Sequence, residues 1–568
     1  MKKILLRLMF LAMLVALLPV HVAQACSAFI VGKDLTADGS TLFGRTEDYP
    51  YAPDGGRHNQ NYVVVPAKTY KDGDKIEDES NGFTYPHLAN EMKYTAVYDS
   101  DRDNGSNGNF AAHGFNELGV AMTATVSATP NDKVLKEDPL VKDGLPEASL
   151  VDLALPRAKT AREVIETVAK VLDEKGSAEG NIIVAADKNE LWYMEILSGH
   201  QYVAIKFPTN KYAVFANTYY LGHVDLNDKE NVIASKDVEE VAKKADNYKT
   251  DKDGNFMIAK SYGPDEYMER NRSRTYAGIK WMDPQAKVNY DDEAFDLLRE
   301  PTDPNKKYTV HDVIAEQRNR FEHLPEYKAD DLVEVGKKID GNVYKYALGN
   351  ENVIDAHVYQ IKPNLPNAFG GVMWLGLAQS RNTPYVPFYG NVEDTYEAFK
   401  NRSTKYDGKS WYWTVWHIDQ MVMKYPEIFG NIIQEKWKEK EAEWDKEQTE
   451  RDAKYANYTD EQAKAAGPEV TKEALERSEK IFKEIKAVEA EMEEKIKKEK
   501  GKDADLVYTG YNKANLLAEA EKGKSADKAS DTKKDSSSQT TWIVIGVLVV
   551  LVAGFFGYKQ FNKKKEEE

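Results

Sequence analysis

The chain of 568 residues contains one cysteine, Cys26. A disulfide needs two cysteines, so no internal disulfide can stabilise this chain. Any folded body must therefore depend on a packed apolar core. A hydrophobic content of 41% is sufficient for one large core or two smaller ones, and we expect a large globular body.

The charge balance excludes one class of partner. The chain carries 94 acidic and 77 basic residues, a formal net charge of −17. Proteins that bind nucleic acid present a basic surface to the phosphate backbone. We therefore predict no nucleic-acid partner.

The first 25 residues have the layout of a cleaved secretory signal. Basic residues at positions 2, 3 and 7 precede an apolar run over 8–18, and the small residues of "AQA" stand directly before Cys26. This order of basic, apolar and small residues is typical of a signal peptide with its cleavage site. We predict a signal peptide over 1–25 and a mature chain that begins at Cys26.

The other end of the chain predicts a membrane anchor. Residues 536–558 contain no charge and include "TWIVIGVLVVLVAGFFGY", which is long and apolar enough to cross a bilayer. Lysines follow it, so the positive-inside rule predicts a cytoplasmic tail over 559–568. We expect a transmembrane helix over 541–558, a disordered spacer over 516–540, and a single-pass cell-membrane protein whose body is extracellular.

Between these ends, strand and helix patterns alternate. Apolar runs such as "SAFIVG", "YVVVP", "GVAMTATVS" and "LWYMEIL" predict strands, while Thr160 and Glu163 predict the start of a helix. Strands interleaved with helices predict a layered protein. The globular composition continues to about residue 430, which gives a body over 26–430.

A charged segment over 431–515 follows the body. Apolar residues at helical spacing draw one stripe along it, from Leu475 to Ile496. The stripe predicts a helical extension that either packs on the body or forms a stalk, and we favour packing.

Three hypotheses compete for Cys26. It is a small buried residue, a lipid-attachment site, or a catalyst exposed by signal cleavage. At a chain terminus the α-amine, with a pKa near 7.7 to 8.0, can accept the proton of the thiol, whose pKa is near 8.5. Arg45 and Asp48 of "GRTEDY" offer a cation to stabilise a thiolate and a carboxylate to orient the amine. The turn signal Asp38-Gly39 predicts that their strand returns beside Cys26.

Several ordered motifs resemble the cysteine dipeptidase family of the N-terminal nucleophile hydrolases, which is related to choloylglycine hydrolases and penicillin V acylases. The similar stretches follow Cys26 in order and cover about 26–430: "DGSTLFGRTEDY", "GFNELGVAMTAT", "ALPRAKTAREVIE", "DKNELWYMEILSGHQYVAIKFPTNKYAVFANTYYLG", "YTVHDVIAEQRNRFEHLP" and "HVYQIKPNLPNAFGGVMWLGLAQSRNTPYVPFYGN". The resemblance implies an α+β fold, an αββα four-layer sandwich. It also implies hydrolysis of dipeptides without a cofactor. The added C-terminal helices and the one transmembrane helix that the sequence predicts are a departure from many dipeptidases.

The resemblance assigns roles to five residues. Cys26 matches the nucleophile and its α-amine the base, and Arg45 and Asp48 match the family's R-x-x-D. Asn217 is similar to an asparagine that binds the developing oxyanion, and Arg274 to a second active-site arginine. Arg272 fits that arginine almost as well. A second oxyanion donor has no clear match, so Thr125 or a backbone N–H remains open.

Recognition of a dipeptide requires partners for its ammonium and its carboxylate, and Glu195, Asp48 and one arginine are candidates. Two functions of other kinds remain open. One is an amidase related to choloylglycine hydrolase and penicillin acylase, and the other is a non-catalytic surface binding protein on the same fold.

No motif for a metallopeptidase occurs in the sequence. Two acidic turns over 99–105 and 251–255 echo calcium loops without completing one. His113 and His200 are interpreted as structural. The oligomeric state is left open.

Overall fold

A computed structural model of the protein describes residues 26–49, 58–100, 107–324, 337–339, 342–344 and 346–507. The described residues form twenty β-strands. In chain order they are β1 Ser27–Val31, β2 Thr41–Asp48, β3 Asn59–Val65, β4 Lys68–Thr69, β5 Lys75–Asp78, β6 Phe83–Pro86, β7 Asn90–Glu91, β8 Tyr94–Ser100, β9 Asn107–Phe115, β10 Ala121–Ala128, β11 Gly180–Ala186, β12 Leu191–Ile196, β13 Tyr202–Lys206, β14 Tyr212–Phe215, β15 Val232–Ala234, β16 Lys337–Ile339, β17 Asn342–Tyr344, β18 Val353–Ile361, β19 Val372–Leu377 and β20 Val386–Tyr389.

The same residues form thirteen α-helices. They are α1 Asp132–Glu137, α2 Leu150–Ala154, α3 Ala161–Lys175, α4 Val238–Lys244, α5 Ile258–Tyr262, α6 Glu269–Met282, α7 Val310–Gln317, α8 Glu397–Lys400, α9 Trp411–Lys424, α10 Pro426–Phe429, α11 Ile432–Tyr455, α12 Asp460–Ala465 and α13 Gly467–Lys500. The predicted start of α3 is confirmed, because the Thr160 side chain accepts a hydrogen bond from the Glu163 N–H.

Most strands belong to two antiparallel sheets. The six-stranded sheet has the order β14-β1-β2-β18-β19-β20, and the eight-stranded sheet has the order β15-β13-β12-β11-β10-β9-β8-β3. The pairing of β1 with β2 confirms the predicted return of the chain, with Ser27 opposite Thr46 and Ala28 opposite Arg45. Gly39 lies in the connection with φ +75°, a conformation that favours glycine.

The two sheets pack face to face and carry helices on their outer faces. Alternate side chains of the eight-stranded sheet, including Tyr62 and Tyr193, share one core with Phe29 and Phe43 of the six-stranded sheet. The other face of the eight-stranded sheet forms a second core with α2 and α3. Helices α6 and α7 contact β14 and β18 of the six-stranded sheet. The predicted α+β class is confirmed.

The charged extension packs on the body over its described length. Trp437, Trp444, Ile481 and Ile485 of α11 and α13 are buried in the same core as the six-stranded sheet, and α13 lies against α9. The apolar stripe read from the sequence faces this contact, so the extension follows the packing alternative over residues 432–500.

Several predicted segments lie outside the described residues. They are the signal peptide over 1–25, the spacer over 516–540, the transmembrane helix over 541–558 and the tail over 559–568. Within the described part of the chain, no helix combines the length and the apolar character that crossing a membrane requires.

Candidate active site

Cys26 stands directly before β1, in the layer between the two sheets. Its side chain is buried, and an Arg45 Nη1 hydrogen points to its Sγ across 3.5 Å. Arg45 lies on β2, the strand next to β1. The structure therefore brings together the thiol and the cation that the sequence predicts.

Four further contacts fix the guanidinium of Arg45. Its Nη2 donates to Glu47 Oε2 and to the Ala124 carbonyl, both at 2.9 Å, and more weakly to the Ala112 carbonyl at 3.4 Å. Its Nε donates to Thr123 Oγ1 at 3.0 Å. Burial alone lowers the pKa of Arg45, but Glu47 and Cys26 together raise it, so the side chain stays charged.

The surroundings of Cys26 favour the neutral thiol in the unprocessed chain. Burial raises the pKa of Cys26 to about 12; Arg45 lowers it, and Asp48 and Glu47 raise it. One arginine is therefore not enough to produce a thiolate near neutral pH. A reactive thiolate requires a further base or cation at this position.

Asp48 is fully buried at the end of β2. Its Oδ2 accepts a hydrogen bond from Asn350 Nδ2 at 2.7 Å, and its Oδ1 is buried without a hydrogen-bond partner in the described part of the protein. Burial raises the pKa of Asp48 to about 7, although Arg274 opposes the shift. The carboxylate thus has one free oxygen beside Cys26.

Arg274 reaches the site from α6 on the outer face of the six-stranded sheet. Its Nη1 donates to the Cys26 carbonyl and, at 3.1 Å, to Ser27 Oγ. Its Nη2 donates to Asn217 Oδ1 at 2.9 Å and to Asn271 Oδ1 at 2.8 Å. Arg274 therefore fixes the backbone that carries the thiol.

The hydrogen bond from Arg274 Nη2 also orients the side chain of Asn217, which follows β14. Because its Oδ1 faces Arg274, its Nδ2 donor points elsewhere, and that nitrogen is buried without a hydrogen-bond partner among the described residues. A buried amide donor without a partner is costly in a resting protein. The donor is available to an oxygen that arrives with a substrate.

The structure distinguishes the two arginines that the sequence left open. Arg272 Nη1 donates to the carbonyls of Tyr290 and Asp292, whereas Arg274 contacts Cys26. The 3.6-residue period of α6 separates their directions, since residues two apart on a helix do not share a face. Arg274 is the arginine at the site.

Two other candidates have different partners. Thr125 Oγ1 donates its hydrogen to Glu147 at 2.6 Å, so that hydroxyl is not free for an oxyanion. Glu195 Oε1 accepts from Tyr193 Oη at 2.7 Å and from the N–H groups of Tyr220 and Leu221. Glu195 therefore holds the loop that follows Asn217.

A buried chain of hydrogen bonds extends from Arg45 across the two sheets. Thr123 Oγ1 accepts from Arg45 Nε, so its own hydrogen can go to His357 Nε2, 2.9 Å away. His357 then carries its proton on Nδ1, which lies 3.0 Å from Asp355 Oδ2. His113 Nε2 lies 3.0 Å from the same oxygen. The donor order is assigned from this network.

Electrostatics agree with neutral imidazoles beside an ionised Asp355. Burial, and after it His113, lower the pKa of His357 to about 3, although Asp355 opposes the shift. Burial also lowers the pKa of His113. Burial alone raises the pKa of Asp355, but the two histidines bring it well below its ordinary value. The network thus holds one negative charge behind Arg45.

His113, Asp355 and His357 are the group in the described part of the chain whose ligand atoms, within 4.8 Å of one another, could hold a metal ion. Their rings are stacked, with centroids 3.5 Å apart and an interplanar angle of 20°. A metal ion is held by lone pairs that converge in the ring planes, whereas stacked rings direct them side by side. We interpret the cluster as a hydrogen-bonded support for Arg45.

Replacing Thr123 by valine tests this support. The valine keeps the shape but leaves Arg45 Nε without its acceptor and breaks the link to His357, a cost of about 1–3 kcal/mol. On the expectation that Cys26 is the nucleophile, kcat/KM should fall about tenfold or more, and the acidic limb of the pH profile should move to higher pH. Thr123→Ser keeps the hydroxyl, so we expect it to retain both the wild-type kcat/KM and the wild-type position of the acidic limb. Equal effects of the valine and serine substitutions would contradict the role of this hydroxyl in supporting Arg45.

Sequence reasoning missed several residues at the site. Glu47 was within reach, because strand alternation places it on the same face as Arg45. Thr123, Asp355 and His357 gave no local signal, since they meet Arg45 only through the stacking of the two sheets.

The chain matches known proteins over most of its length. A model of peptidase family C69 matches residues 25–439. A probable dipeptidase B of Streptococcus pyogenes serotype M1 is 48% identical over 486 residues, covering 84% of this chain and 95% of the relative. A probable dipeptidase of Latilactobacillus sakei is 33% identical over 392 residues, covering 69% of this chain and 79% of the relative. A probable dipeptidase of Salmonella dublin is 28% identical over 386 residues, covering 67% of this chain and 84% of the relative.

The family match and the named relatives show a cysteine-type peptide hydrolase, and in its layered α+β fold Cys26 lies buried beside Arg45. The family model covers most of the chain, and the match extends over 79% to 95% of the relatives' own lengths. The chain belongs to peptidase family C69. This confirms the resemblance to the cysteine dipeptidases that the sequence motifs indicate.

Proposed function

We propose that the protein hydrolyses dipeptides, with Cys26 as an N-terminal nucleophile. One observation carries the proposal: the thiol beside Arg45 stands at the first position after the predicted signal, in a chain 48% identical to a relative named probable dipeptidase B. The names of three relatives support dipeptides as the substrate class.

The catalytic cycle needs only groups of this chain and water. The Cys26 α-amine, freed by signal cleavage, accepts the thiol proton, and the thiolate attacks the peptide carbonyl carbon. Asn217 Nδ2 donates to the oxyanion, a contact worth roughly 3 kcal/mol per donor. The C–N bond breaks as the α-ammonium returns the proton to the leaving amine. Water, deprotonated by the same amine, then cleaves the thioester and restores the thiol.

The raised pKa of the thiol explains why the amine is needed. Burial holds the pKa of Cys26 at about 12 while residue 25 is still attached. A terminal α-ammonium adds a second positive charge beside the sulfur and lowers that pKa. Cleavage after residue 25 is thus proposed as the activating step.

Asp48 provides a pH-dependent test of the activating step. In a chain that keeps Ala25, the pKa of Asp48 is raised to about 7. The folded state then binds a proton that the unfolded state releases, so stability falls as pH rises from about 4 to about 7. Asp48→Asn removes this cost and is expected to raise the free energy of unfolding at about pH 8 by up to about 4 kcal/mol.

In the processed chain, the effect of Asp48→Asn on the free energy of unfolding should have the opposite sign. There the Cys26 α-ammonium pairs with Asp48, and the same substitution leaves that ammonium without its carboxylate. We expect Asp48→Asn to destabilise the processed chain and to lower kcat. Urea unfolding of both chain forms at about pH 5 and about pH 8 measures this, and the same sign in both forms would refute the pairing.

Substrate assays separate the proposed function from its rivals. A chain that begins at Cys26 is expected to release both amino acids from an unmodified dipeptide. Faster hydrolysis of penicillin V or of a bile-salt amide would favour the related amidases. Binding of peptides without any hydrolysis would favour a surface binding protein.

We also propose that the enzyme is anchored at the cell surface by a helix over 541–558, with the body over 26–430 and the extension over 431–515 outside the cell. The uncharged run and the lysines after it support this topology. A chain ending at residue 507 should appear in the medium, while the full chain should sediment with membranes. Recovery of the full chain from the medium would refute the anchor.

A further inference from the structure

Besides Asp48, a second buried carboxylate, that of Glu47, acts on the Cys26 thiol. The register of β1 with β2 pairs Ser27 with Thr46, so Glu47 stands opposite Cys26 and on the same face as Arg45. Its Oε2 pairs with Arg45 Nη2 at 2.9 Å. Its Oε1 is buried without a hydrogen-bond partner in the described residues, and the side chain is 1% exposed.

The space around Glu47 has an excess of negative charge. Burial raises the pKa of Glu47; Arg45 lowers it, and Asp99, Asp355 and Glu147 raise it further. Burial raises the pKa of Asp99 to about 7 as well. Arg45 acts on both Glu47 and Asp99, and a group of buried carboxylates with too little compensating positive charge costs several kcal/mol. A cationic group that enters beside Cys26 is therefore strongly favoured.

Arg270, near the site, is a partly buried cation that lacks an anionic partner among the described residues. Arg270 lies one turn before Arg274 on α6, and its carbonyl accepts a hydrogen bond from Arg274 Nε at 2.9 Å. Arg270 Nε is buried without a hydrogen-bond partner, and no carboxylate of the described residues forms an ion pair with this arginine. Burial and the charge of Arg274 lower the pKa of Arg270. An anionic group is favoured there.

We propose that Glu47 binds the α-ammonium of the dipeptide and Arg270 binds its α-carboxylate. The inference rests on the proposed function and deepens it. Arg45 joins the Glu47 end to the thiol, because its two Nη atoms contact Glu47 and Cys26 Sγ. Arg274 joins the Arg270 end to the thiol, because it holds the Cys26 carbonyl.

This arrangement explains how a peptidase selects chains of two residues. Two extended residues span roughly 7 Å at most, so both charged ends of a dipeptide lie close to the scissile bond. A longer peptide places a neutral amide where one charge is required. Either Glu47 or Arg270 is then left buried without a partner in the complex. The free-energy cost of that unpaired group makes the site reject the longer peptide strongly.

The test uses three substrates that differ only at their ends: Ala-Ala, N-acetyl-Ala-Ala and Ala-Ala-amide. The readout is the ratio of kcat/KM values within one protein, which does not depend on the fraction of folded molecules. We expect the wild type to prefer Ala-Ala over both blocked substrates by about 100-fold or more.

Two substitutions should each remove one preference. Glu47→Gln is expected to reduce the preference over N-acetyl-Ala-Ala by about 30-fold or more and to spare the preference over the amide. Arg270→Gln is expected to reduce the preference over Ala-Ala-amide by a similar factor and to spare the preference over N-acetyl-Ala-Ala. The matched controls are Glu441→Gln, which neutralises a buried carboxylate paired with Arg318, and Arg272→Gln on the same helix. Both controls should keep both ratios.

Every outcome decides the inference. If the wild type cleaves Ala-Ala but Glu47→Gln and Arg270→Gln keep both ratios, the subsite is refuted while the proposed function stands. If Glu47→Gln does not fold, Arg270→Gln still tests one end, and an unchanged ratio over the amide refutes the pairing. A wild type that cleaves all three substrates equally also refutes the subsite. A wild type that starts at Cys26 and cleaves none refutes the proposed function and the inference with it.

Discussion

Replacing Cys26 by serine is expected to lower kcat/KM for dipeptide hydrolysis by at least roughly three orders of magnitude. The serine keeps the α-amine, the size of the side chain and the contact with Arg45. Its hydroxyl ionises far less readily than a thiol, so the attacking anion is lost. The measurement is the initial rate of amino-acid release from a dipeptide, compared at equal concentrations of folded protein.

The same variant separates an enzyme from a binding protein. Binding of an uncleaved dipeptide should be preserved in Cys26→Ser, because Glu47 and Arg270, which are proposed to bind its two ends, are unchanged. Urea unfolding should show a change of less than about 1 kcal/mol, since the substitution is nearly isosteric. Residual hydrolysis above about one per cent of the wild-type rate would argue against Cys26 as the nucleophile.

Replacing Arg45 by methionine is expected to have the second largest effect. The substitution leaves Glu47 as a buried charge without its partner, which costs about 3–5 kcal/mol of stability. It also removes the cation that contacts Cys26 Sγ. We expect kcat/KM per folded molecule to fall by roughly 10³-fold or more, measured together with the free energy of unfolding.

Arg318→Met is the matched control for this change. Arg318 is buried and donates to both oxygens of Glu441, at 2.9 and 2.6 Å. Its replacement should cost a similar free energy of unfolding, but kcat/KM per folded molecule should change by less than about threefold. Equal losses of activity in the two variants would show that Arg45 acts through stability alone.

The parts of the site that lie on neighbouring strands could be predicted from the sequence. Arg45 and Cys26 are 19 residues apart, and the turn signal between them specifies that β2 returns along β1. The alternation of side chains along the strand "GRTED" also determines which face of the sheet each side chain lies on. For such local pairs, the pattern of apolar residues and the turn residues contain enough information to fix the register.

The contacts between the sheets could not be predicted in the same way. Arg45 and Thr123 are 78 residues apart, and Thr123 and His357 are 234 apart. Their meeting depends on how two sheets stack, which no periodicity within a strand encodes. The interpretation of His113 as structural captured its burial but not its connection, through Asp355 and His357, to the reactive centre.

The helical extension illustrates a different limit. Its apolar stripe indicated a helix with one buried face, yet a stripe does not specify its partner. The structure supplies the partner, because Trp437 and Ile481 pack into the core of the body.

The identity of the first residue of the mature protein tests the central claim most directly. Intact mass and N-terminal sequencing of the protein isolated from its cells give both that residue and any modification of its amine. We predict a chain that begins at Cys26 with a free α-amine, which supplies the base that the buried thiol lacks. An acylated Cys26, or a mature chain that begins at any other residue, would contradict the mechanism.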